Sequence, residues 1–127
     1  RPQSTILWGP PGTGKTSIVR ALAREVDALF YQLNATNAKI DEIREIIKTA
    51  KVSGHPSFVF VDEIHRWSKS QQDVLLPAVE DGTILLFGAT TDKPKFAVNS
   101  TILSRVIVLE TKPLDSQDLV DLIKRVK

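Results

Sequence analysis

A glycine-rich segment near the start of the chain constrains its fold more than any other feature. Residues 9–16 read Gly-Pro-Pro-Gly-Thr-Gly-Lys-Thr, which fits the phosphate-loop pattern G-x-x-x-x-G-K-[ST]. The apolar, β-prone run 4–8 precedes the loop, and residues 17–24 follow it with apolar side chains at helical spacing. A strand, a glycine loop and a helix in this order direct backbone N–H groups and a helix dipole at a phosphate. The segment therefore predicts a nucleoside triphosphate site, whereas a chance glycine-rich turn would lack the flanking strand and helix.

The residues of this loop have separate expected roles. Lys15 is expected to reach the β- and γ-phosphates, and the Thr16 hydroxyl is expected to ligate Mg²⁺. The predicted contacts with the nucleotide come from the loop and the first helical turn, namely from Gly9, Pro10, Pro11, Gly12, Thr13, Gly14, Lys15, Thr16 and Ser17.

Turn and cap signals divide the chain into strands that alternate with helices. The predicted strands are 4–8, 29–34, 57–61, 83–88 and 106–109, and the predicted helices are 15–26, 40–51, 68–80 and the tail from residue 115. Strand 57–61 has four successive apolar residues, which is typical of a central parallel strand buried on both faces. The alternation predicts an α/β fold, a three-layer P-loop NTPase with a five-stranded parallel sheet.

Composition excludes several other classes of protein. The 127 residues are enough for one domain, and 42% hydrophobic with 25% charged residues is typical of a globular chain. There is no apolar run of membrane-spanning length. There is also no cysteine, so disulfides and cysteine-ligated zinc are excluded. The net charge of +2 permits contact with nucleic acid but does not by itself indicate it.

A second motif lies at the end of the third predicted strand. The apolar run 58–61 ends in Asp62-Glu63, which places two carboxylates at the edge of the sheet where ligands bind in open α/β folds. Asp62 is expected to hold Mg²⁺ directly or through water, and Glu63 to orient the water that attacks the γ-phosphate. Two solvated acids at a strand end are common in isolation, but the phosphate loop upstream favours the catalytic interpretation.

Other polar residues are candidates for the γ-phosphate end of the site. A hydroxyl at the end of the fourth strand, Thr90 first and Thr91 second, would sense or polarise the γ-phosphate, although a plain threonine-rich strand end fits equally well. Arg105 ends a short predicted helix over 99–105, and its planar guanidinium suits a phosphoryl group in transit, especially one in a neighbouring subunit. Residue type alone favours a solvated arginine at this position.

Asn34 ends the second predicted strand and is expected to lie beside Glu63. Its amide would then hydrogen-bond the Glu63 carboxylate and hold it away from water until a partner binds. A strand-end asparagine with satisfied hydrogen bonds and no role in the site is the equal alternative.

Together these motifs resemble an AAA+ ATPase. The runs 6–12, 62–67, 71–73, 79–84 and 88–91, followed by Asn99-Ser100 and Leu103-Ser104-Arg105, occur in the order found in one family. That family is the replication-associated recombination protein A family, which includes the Werner-helicase-interacting ATPases. The resemblance covers nearly the whole chain, and the block from Asp-Glu-Ile-His-Arg to Gly-Ala-Thr-Thr is its most specific part.

The resemblance implies a function that the residues alone do not. Members of this family are similar to clamp loaders: they form ring-like oligomers, hydrolyse ATP in response to DNA and act at stalled or damaged replication forks. The implied cofactors are ATP and Mg²⁺. The implied partners are forked or single-stranded DNA, further copies of the chain in a homo-oligomeric ring and replication proteins, with no membrane. The implied location is the bacterial cytoplasm at the nucleoid, or the nucleus in a eukaryote.

The resemblance also assigns residues. Arg105 becomes the expected arginine finger and Thr90 the expected first sensor, and Lys69 with the Gln71-Gln72 helix is expected to face a central DNA channel. The run 33–36 is more similar to a clamp-loader small subunit, which leaves a clamp-loader or branch-migration subunit open as an alternative. A nucleotide-binding switch with negligible turnover is a second alternative.

The expected domain organisation follows from what the family has in addition. AAA+ proteins have a segment before the first strand, a helical lid and, in this family, a C-terminal oligomerisation domain. We therefore expect residues 1–113 to form the nucleotide-binding core of a longer protein and residues 114–127 to begin a lid that is largely absent. Hydrolysis by this piece alone is expected to be slow.

Overall fold

The computed structural model describes residues 3–11, 14–91, 103–111 and 123. The strands in these ranges are β1 (Thr5–Trp8), β2 (Leu29–Asn34), β3 (Ser57–Asp62), β4 (Leu85–Thr90) and β5 (Ile107–Glu110). The helices are α1 (Lys15–Glu25), α2 (Ile40–Ser53) and α3 (Lys69–Glu80), with a short 3₁₀ helix at Ile64–Arg66. None of the helices in these ranges is both long enough and apolar enough to cross a membrane.

The five strands form one parallel sheet in the order β2-β3-β4-β1-β5. The register pairs Trp8 with Thr90 and Asn34 with Asp62, so the last residues of four strands lie along the same edge. We call this edge the carboxyl edge and the other the amino edge. The predicted five-stranded parallel α/β fold is confirmed.

The sheet is covered on both faces, which makes the fold three-layered. Phe58 and Phe60 of β3 belong to a buried cluster with the apolar stripe of α1. Val59 and Val61, which alternate with them along the strand, belong to a second cluster with residues of α2 and α3. All four side chains are almost completely buried, as expected for a central parallel strand.

Several element boundaries differ from the sequence-based expectation by one or two residues, and those of β4 and α3 have a clear physical reason. Strand β4 begins at Leu85, because the Asp81 carboxylate accepts hydrogen bonds from the Thr83 N–H (2.8 Å) and hydroxyl (2.6 Å) and closes a turn there. The strand also extends to Thr90. Ser68 is the N-cap of α3 and forms a reciprocal capping box with Gln71. Most of the predicted helix over 99–105 and of the predicted tail helix lies outside the described residues.

Candidate active site

The loop between β1 and α1 requires glycine at two positions for different reasons. Gly14 is the N-cap of α1 and has a φ of 79°, in the left-handed region that side chains disfavour. Gly9 packs so closely on Thr111 that a Cβ atom would clash with its side chain and lie 2.7 Å from its carbonyl oxygen. The loop therefore runs close to the sheet before entering the helix. Gly12 and Thr13 lie outside the described residues.

The loop faces a cavity of about 560 Å³ at the carboxyl edge of the sheet. Its lining comes from the loop and first turn of α1, from the ends of β3 and β4, and from the 3₁₀ helix. The lining residues are Pro11, Gly14, Lys15, Thr16, Ser17, Asp62, Glu63, His65, Arg66, Ala89, Thr90 and Thr91. Most residues predicted for the phosphate and metal positions are thus brought to one cavity.

Lys15 is oriented along the loop. Its ammonium group donates hydrogen bonds to the carbonyl oxygens of Gly9 and Pro10, each at 3.0 Å. Partial burial lowers the pKa of Lys15 below its ordinary value, and the nearby Asp62 carboxylate opposes that shift. These contacts hold the Lys15 ammonium group beside the loop. The negative charge of a bound phosphate would offset the cost of removing this ammonium group from water.

The oxygen donors expected to hold Mg²⁺ line the same cavity. Thr16 offers a hydroxyl and Asp62 a carboxylate, and both are half-buried. The Asp62 Oδ1 atom accepts a hydrogen bond from the Glu63 N–H at 3.0 Å, which fixes the direction of the carboxylate. No cluster of three or more histidine, cysteine or acidic residues suited to a metal occurs within the described residues. The donor set fits Mg²⁺, which commonly takes one or two protein oxygens together with water and phosphate oxygens.

Glu63 is held in a strained backbone conformation with both carboxylate oxygens engaged. Its φ of 52° lies in the left-handed region, which a residue with this side chain rarely adopts, and strained backbone of this kind clusters at functional sites. The Asn34 Nδ2 group donates to Oε2 at 3.2 Å, and the Arg66 Nε atom lies 3.7 Å from Oε1. The expected contact between Asn34 and Glu63 is therefore present, and its catalytic role stays a prediction.

The other end of the Asn34 amide is fixed as well. Its Oδ1 atom accepts hydrogen bonds from the backbone N–H (2.9 Å) and the hydroxyl (2.6 Å) of Thr36. Because Thr36 offers two donors to the oxygen, the amide nitrogen must face Glu63. The turn that follows β2 thus determines which atom of Asn34 meets the catalytic candidate.

Thr90 and Thr91 are both in the cavity wall but differ in burial. The Thr90 hydroxyl is buried and lies 2.8 Å from Nδ1 of His65, whereas Thr91 is exposed. His65 belongs to the 3₁₀ helix after Glu63, so the contact joins the ends of β3 and β4. This geometry favours Thr90 as the sensor candidate.

One residue of α3 departs from the expectation that this helix faces a central DNA channel, and the placement of the helix in a ring stays a prediction. Gln71 does not face an open channel: it is 6% exposed, and its Nε2 group donates to the carbonyl oxygens of Ala35 (3.1 Å) and Ala38 (2.8 Å). The physical reason is the capping box, which turns the Gln71 side chain back against the turn after β2. Lys69 on the same helix is exposed, and Gln72 is half-buried.

Arg105 lies apart from the cavity of its own chain. It precedes β5, whose first residue pairs with Thr5 at the start of β1, so Arg105 lies towards the amino edge. Its Nη2 atom is 3.1 Å from Oε2 of Glu80, the last residue of α3. Arg105 is therefore not among the residues that line the cavity of its own chain, and its expected role as an arginine finger for a neighbouring subunit stays a prediction.

Sequence reasoning did not single out Arg66 and Glu80. Arg66 stands three residues after Glu63, a spacing at which side chains meet on a helical turn, so the signal was available. The contact between Glu80 and Arg105 joins residues far apart in the sequence and had no local signal.

The parallel sheet, the glycine loop before α1 and the carboxylates after β3 define a P-loop nucleotide-binding fold. The family model described as "ATPase family associated with various cellular activities (AAA)" matches residues 5–113. The chain therefore belongs to the AAA family, for which ATP hydrolysis is the characteristic activity.

Individual relatives agree with the resemblance noted in the sequence. The chain is 47% identical over 119 residues to replication-associated recombination protein A of Escherichia coli K12, covering 91% of this chain and 27% of that protein. It is 43% identical over 125 residues to the ATPase WRNIP1 of Dictyostelium discoideum, covering 96% of this chain and 14% of that protein. The predicted similarity to this family is confirmed, and the chain spans about a quarter or less of these relatives.

A solved structure shows the same architecture. The Thermotoga maritima RuvB Holliday junction branch migration motor superposes with a TM-score of 0.72 at 30% sequence identity. The match covers 87% of this chain and 38% of the RuvB chain. It supports the AAA+ assignment of the fold independently of the family model.

Proposed function

We propose that this chain is the ATP-binding and ATP-hydrolysing core of a DNA-dependent AAA+ ATPase acting in replication, recombination and repair at stalled forks. In this proposal residues 1–113 are the core of a longer protein, and residues 114–127 begin its helical lid. The longer protein forms a homo-oligomeric ring on forked or single-stranded DNA. The similarity to replication-associated recombination protein A over 91% of the chain supports the choice of DNA as the partner.

One observation carries the proposal of hydrolysis. Glu63 stands next to the metal candidate Asp62 in the cavity wall, with Asn34 and Arg66 on its two carboxylate oxygens. A site that only bound nucleotide would need the loop and the metal ligands but not a restrained carboxylate beside them. Restraint of this group suits a base that is kept inactive until a partner arrives.

The proposed reaction is in-line attack of water on the γ-phosphorus of ATP, which gives ADP and phosphate. Lys15 and the loop amides stabilise the phosphate charge, and Thr16 and Asp62 hold Mg²⁺, which neutralises phosphate charge when bound. Glu63 accepts a hydrogen bond from the attacking water and orients it. Thr90 contacts the γ-phosphate from the end of β4, and Arg105 reaches the nucleotide of the neighbouring subunit.

The test is the Glu63→Gln variant of the full-length protein. ATP binding is expected to persist, because the loop and metal ligands remain, while turnover falls by about 10²–10⁴-fold, as for loss of a general base. The matched control is Glu45→Gln, the same change at an exposed position on α2. Unchanged turnover with binding retained would contradict the proposal.

Two alternatives can be separated from this proposal by experiment. The RuvB likeness favours a branch-migration motor, and stimulation of phosphate release by four-way junctions above forked or single-stranded DNA would select it. A nucleotide-binding switch shares the cavity and differs in turnover. Tight ATP binding with negligible phosphate release on every DNA tested would select the switch.

A further inference from the structure

The side chain of Arg105 is anchored within its own subunit. Its guanidinium meets Glu80 at 3.1 Å, and Arg105 also lines a narrow apolar cleft with residues of α3 and β4, among them Leu76, Val79 and Leu86. Packing of an arginine stem on apolar surface with a charged group at its tip restricts where the tip can go. At 42% exposure the side chain remains accessible to a second subunit.

Glu80 lies at the C-terminal end of α3, where an acidic side chain is electrostatically unfavourable. It is the last residue of α3, where the negative end of the helix dipole opposes an acidic side chain, and Asp81 follows it directly. Asp81 has a local explanation, because it accepts two hydrogen bonds from Thr83 and closes the turn before β4. The contact that compensates Glu80 is the guanidinium of Arg105.

We propose that Glu80 is a positioning residue that holds the Arg105 guanidinium in the pose in which a neighbouring subunit's nucleotide receives it. This inference rests on the proposed action of Arg105 between subunits. A guanidinium has five N–H donors in a planar fork, so a carboxylate on one nitrogen leaves it able to engage a phosphate. Without Glu80 the arginine would still reach the phosphate but would occupy the productive pose less often.

Helix α3 also links the contact between Glu80 and Arg105 to the nucleotide cavity of the same subunit. The helix starts shortly after Arg66, which lines the cavity of the same subunit, and it ends at Glu80. Near its start, Gln71 donates hydrogen bonds to the turn that follows Asn34. The 12 residues of α3 span about 18 Å. A shift of α3 at its first turn would therefore also move the residue that holds Arg105.

The test mixes two full-length variants that are each inactive for a different reason. The donor, Glu63→Gln, cannot hydrolyse its own ATP but retains Arg105. The acceptor, Arg105→Ala, retains Glu63 but offers no arginine to a neighbour. Mixed assemblies should regain turnover where an acceptor's nucleotide faces a donor's Arg105. We then add Glu80→Gln to the donor alone or to the acceptor alone.

Glu80→Gln in the donor should lower the regained kcat about two- to fivefold, the range of a partly exposed ion pair, with the KM for ATP unchanged. The same change in the acceptor has no arginine to misplace and should leave regained turnover unaltered. Glu45→Gln in the donor is a second control, and light scattering checks that the assemblies have equal size.

Each other outcome decides against the inference in a recognisable way. If the two parent variants regain no turnover on mixing, the intersubunit role of Arg105 fails, and this inference fails with it. If turnover is regained and Glu80→Gln in the donor leaves it unchanged or raises it, only the role of Glu80 fails. Equal losses in donor and acceptor would also overturn it, because they would indicate an effect within the subunit's own site or on assembly.

Discussion

Replacing Asn34 with alanine tests whether the contact to Glu63 restrains hydrolysis. The variant removes the Nδ2 donor that lies 3.2 Å from the carboxylate, whereas the weaker contact from Arg66 remains. If the held glutamate is inactive, its release should raise ATP turnover in the absence of DNA. The stimulated rate should not change, because in that state the partner has already released the carboxylate.

The size of the effect follows from the geometry. The hydrogen bond is at the long end of the usual range, and the Glu63 side chain is 44% exposed, so we take about 1 kcal/mol for the contact. At 25 °C this changes the ratio of released to held glutamate about fivefold. Basal turnover should rise by that factor, and the ratio of stimulated to basal turnover should fall by the same factor.

The assay is phosphate release by the full-length protein at saturating ATP, with and without forked or single-stranded DNA. Asn37→Ala is the matched control, since Asn37 is an exposed asparagine in the same turn whose backbone N–H, which alanine keeps, donates to the Asn34 carbonyl at 3.1 Å. Basal turnover that stays constant or falls in Asn34→Ala, with unfolding unchanged, would refute the restraining role.

Two further predictions concern stability and can be measured by urea and thermal unfolding. Gln71→Leu should lower the free energy of unfolding by about 2–3 kcal/mol, because it removes the hydrogen-bond donor to the backbone carbonyl groups of Ala35 and Ala38. Gln72→Leu should lower it less, because the buried Oε1 atom of Gln72 has no hydrogen-bond partner among the described residues. Equal losses for the two would contradict this account. Hydrogen bonds from Thr83 keep the pKa of Asp81 below its ordinary value of 3.8. The stability that these hydrogen bonds contribute is therefore fully present above pH 3.8, and it is lost as the pH falls through the lowered pKa. Asp81→Asn should therefore show a shallower fall in Tm on acidification below pH 3.8, and an unaltered slope would rule out this contribution.

The parts of the fold with strong local signals were predictable from the sequence. Strand β3 has an uninterrupted apolar run and α1 follows a glycine loop of known geometry, so both elements were found. The start of β4 was not found, because Thr83 and Ile84 continue a β-prone pattern while the Asp81 side chain captures the Thr83 N–H. A competing side-chain hydrogen bond of this kind is invisible to a pattern of residue types.

The candidate site divides in the same way. That Asp62, Glu63 and Thr90 lie at one cavity was predictable, because the carboxyl ends of parallel strands share one edge whatever the order of the strands. The left-handed backbone of Glu63 was not predictable, since glutamate has no preference for that conformation. The burial of Gln71 was predictable in principle: Gln71, Leu75 and Ala78 follow the i, i+4, i+7 spacing of one helix face, and all three are buried.

The strand order has a consequence for how the chain is made. Strand β1, which leads into the phosphate loop, pairs with β4 and β5. Thr5 therefore pairs with Phe87 and Ile107, which lie far away in the sequence. Strand β1 therefore leaves the ribosome before either of its neighbours in the sheet has been made. Such distant pairings form slowly, because a long loop must close before any contact repays its entropy. The nucleotide pocket is thus a late product of folding, and a ligand that binds it would favour chains whose sheet is complete.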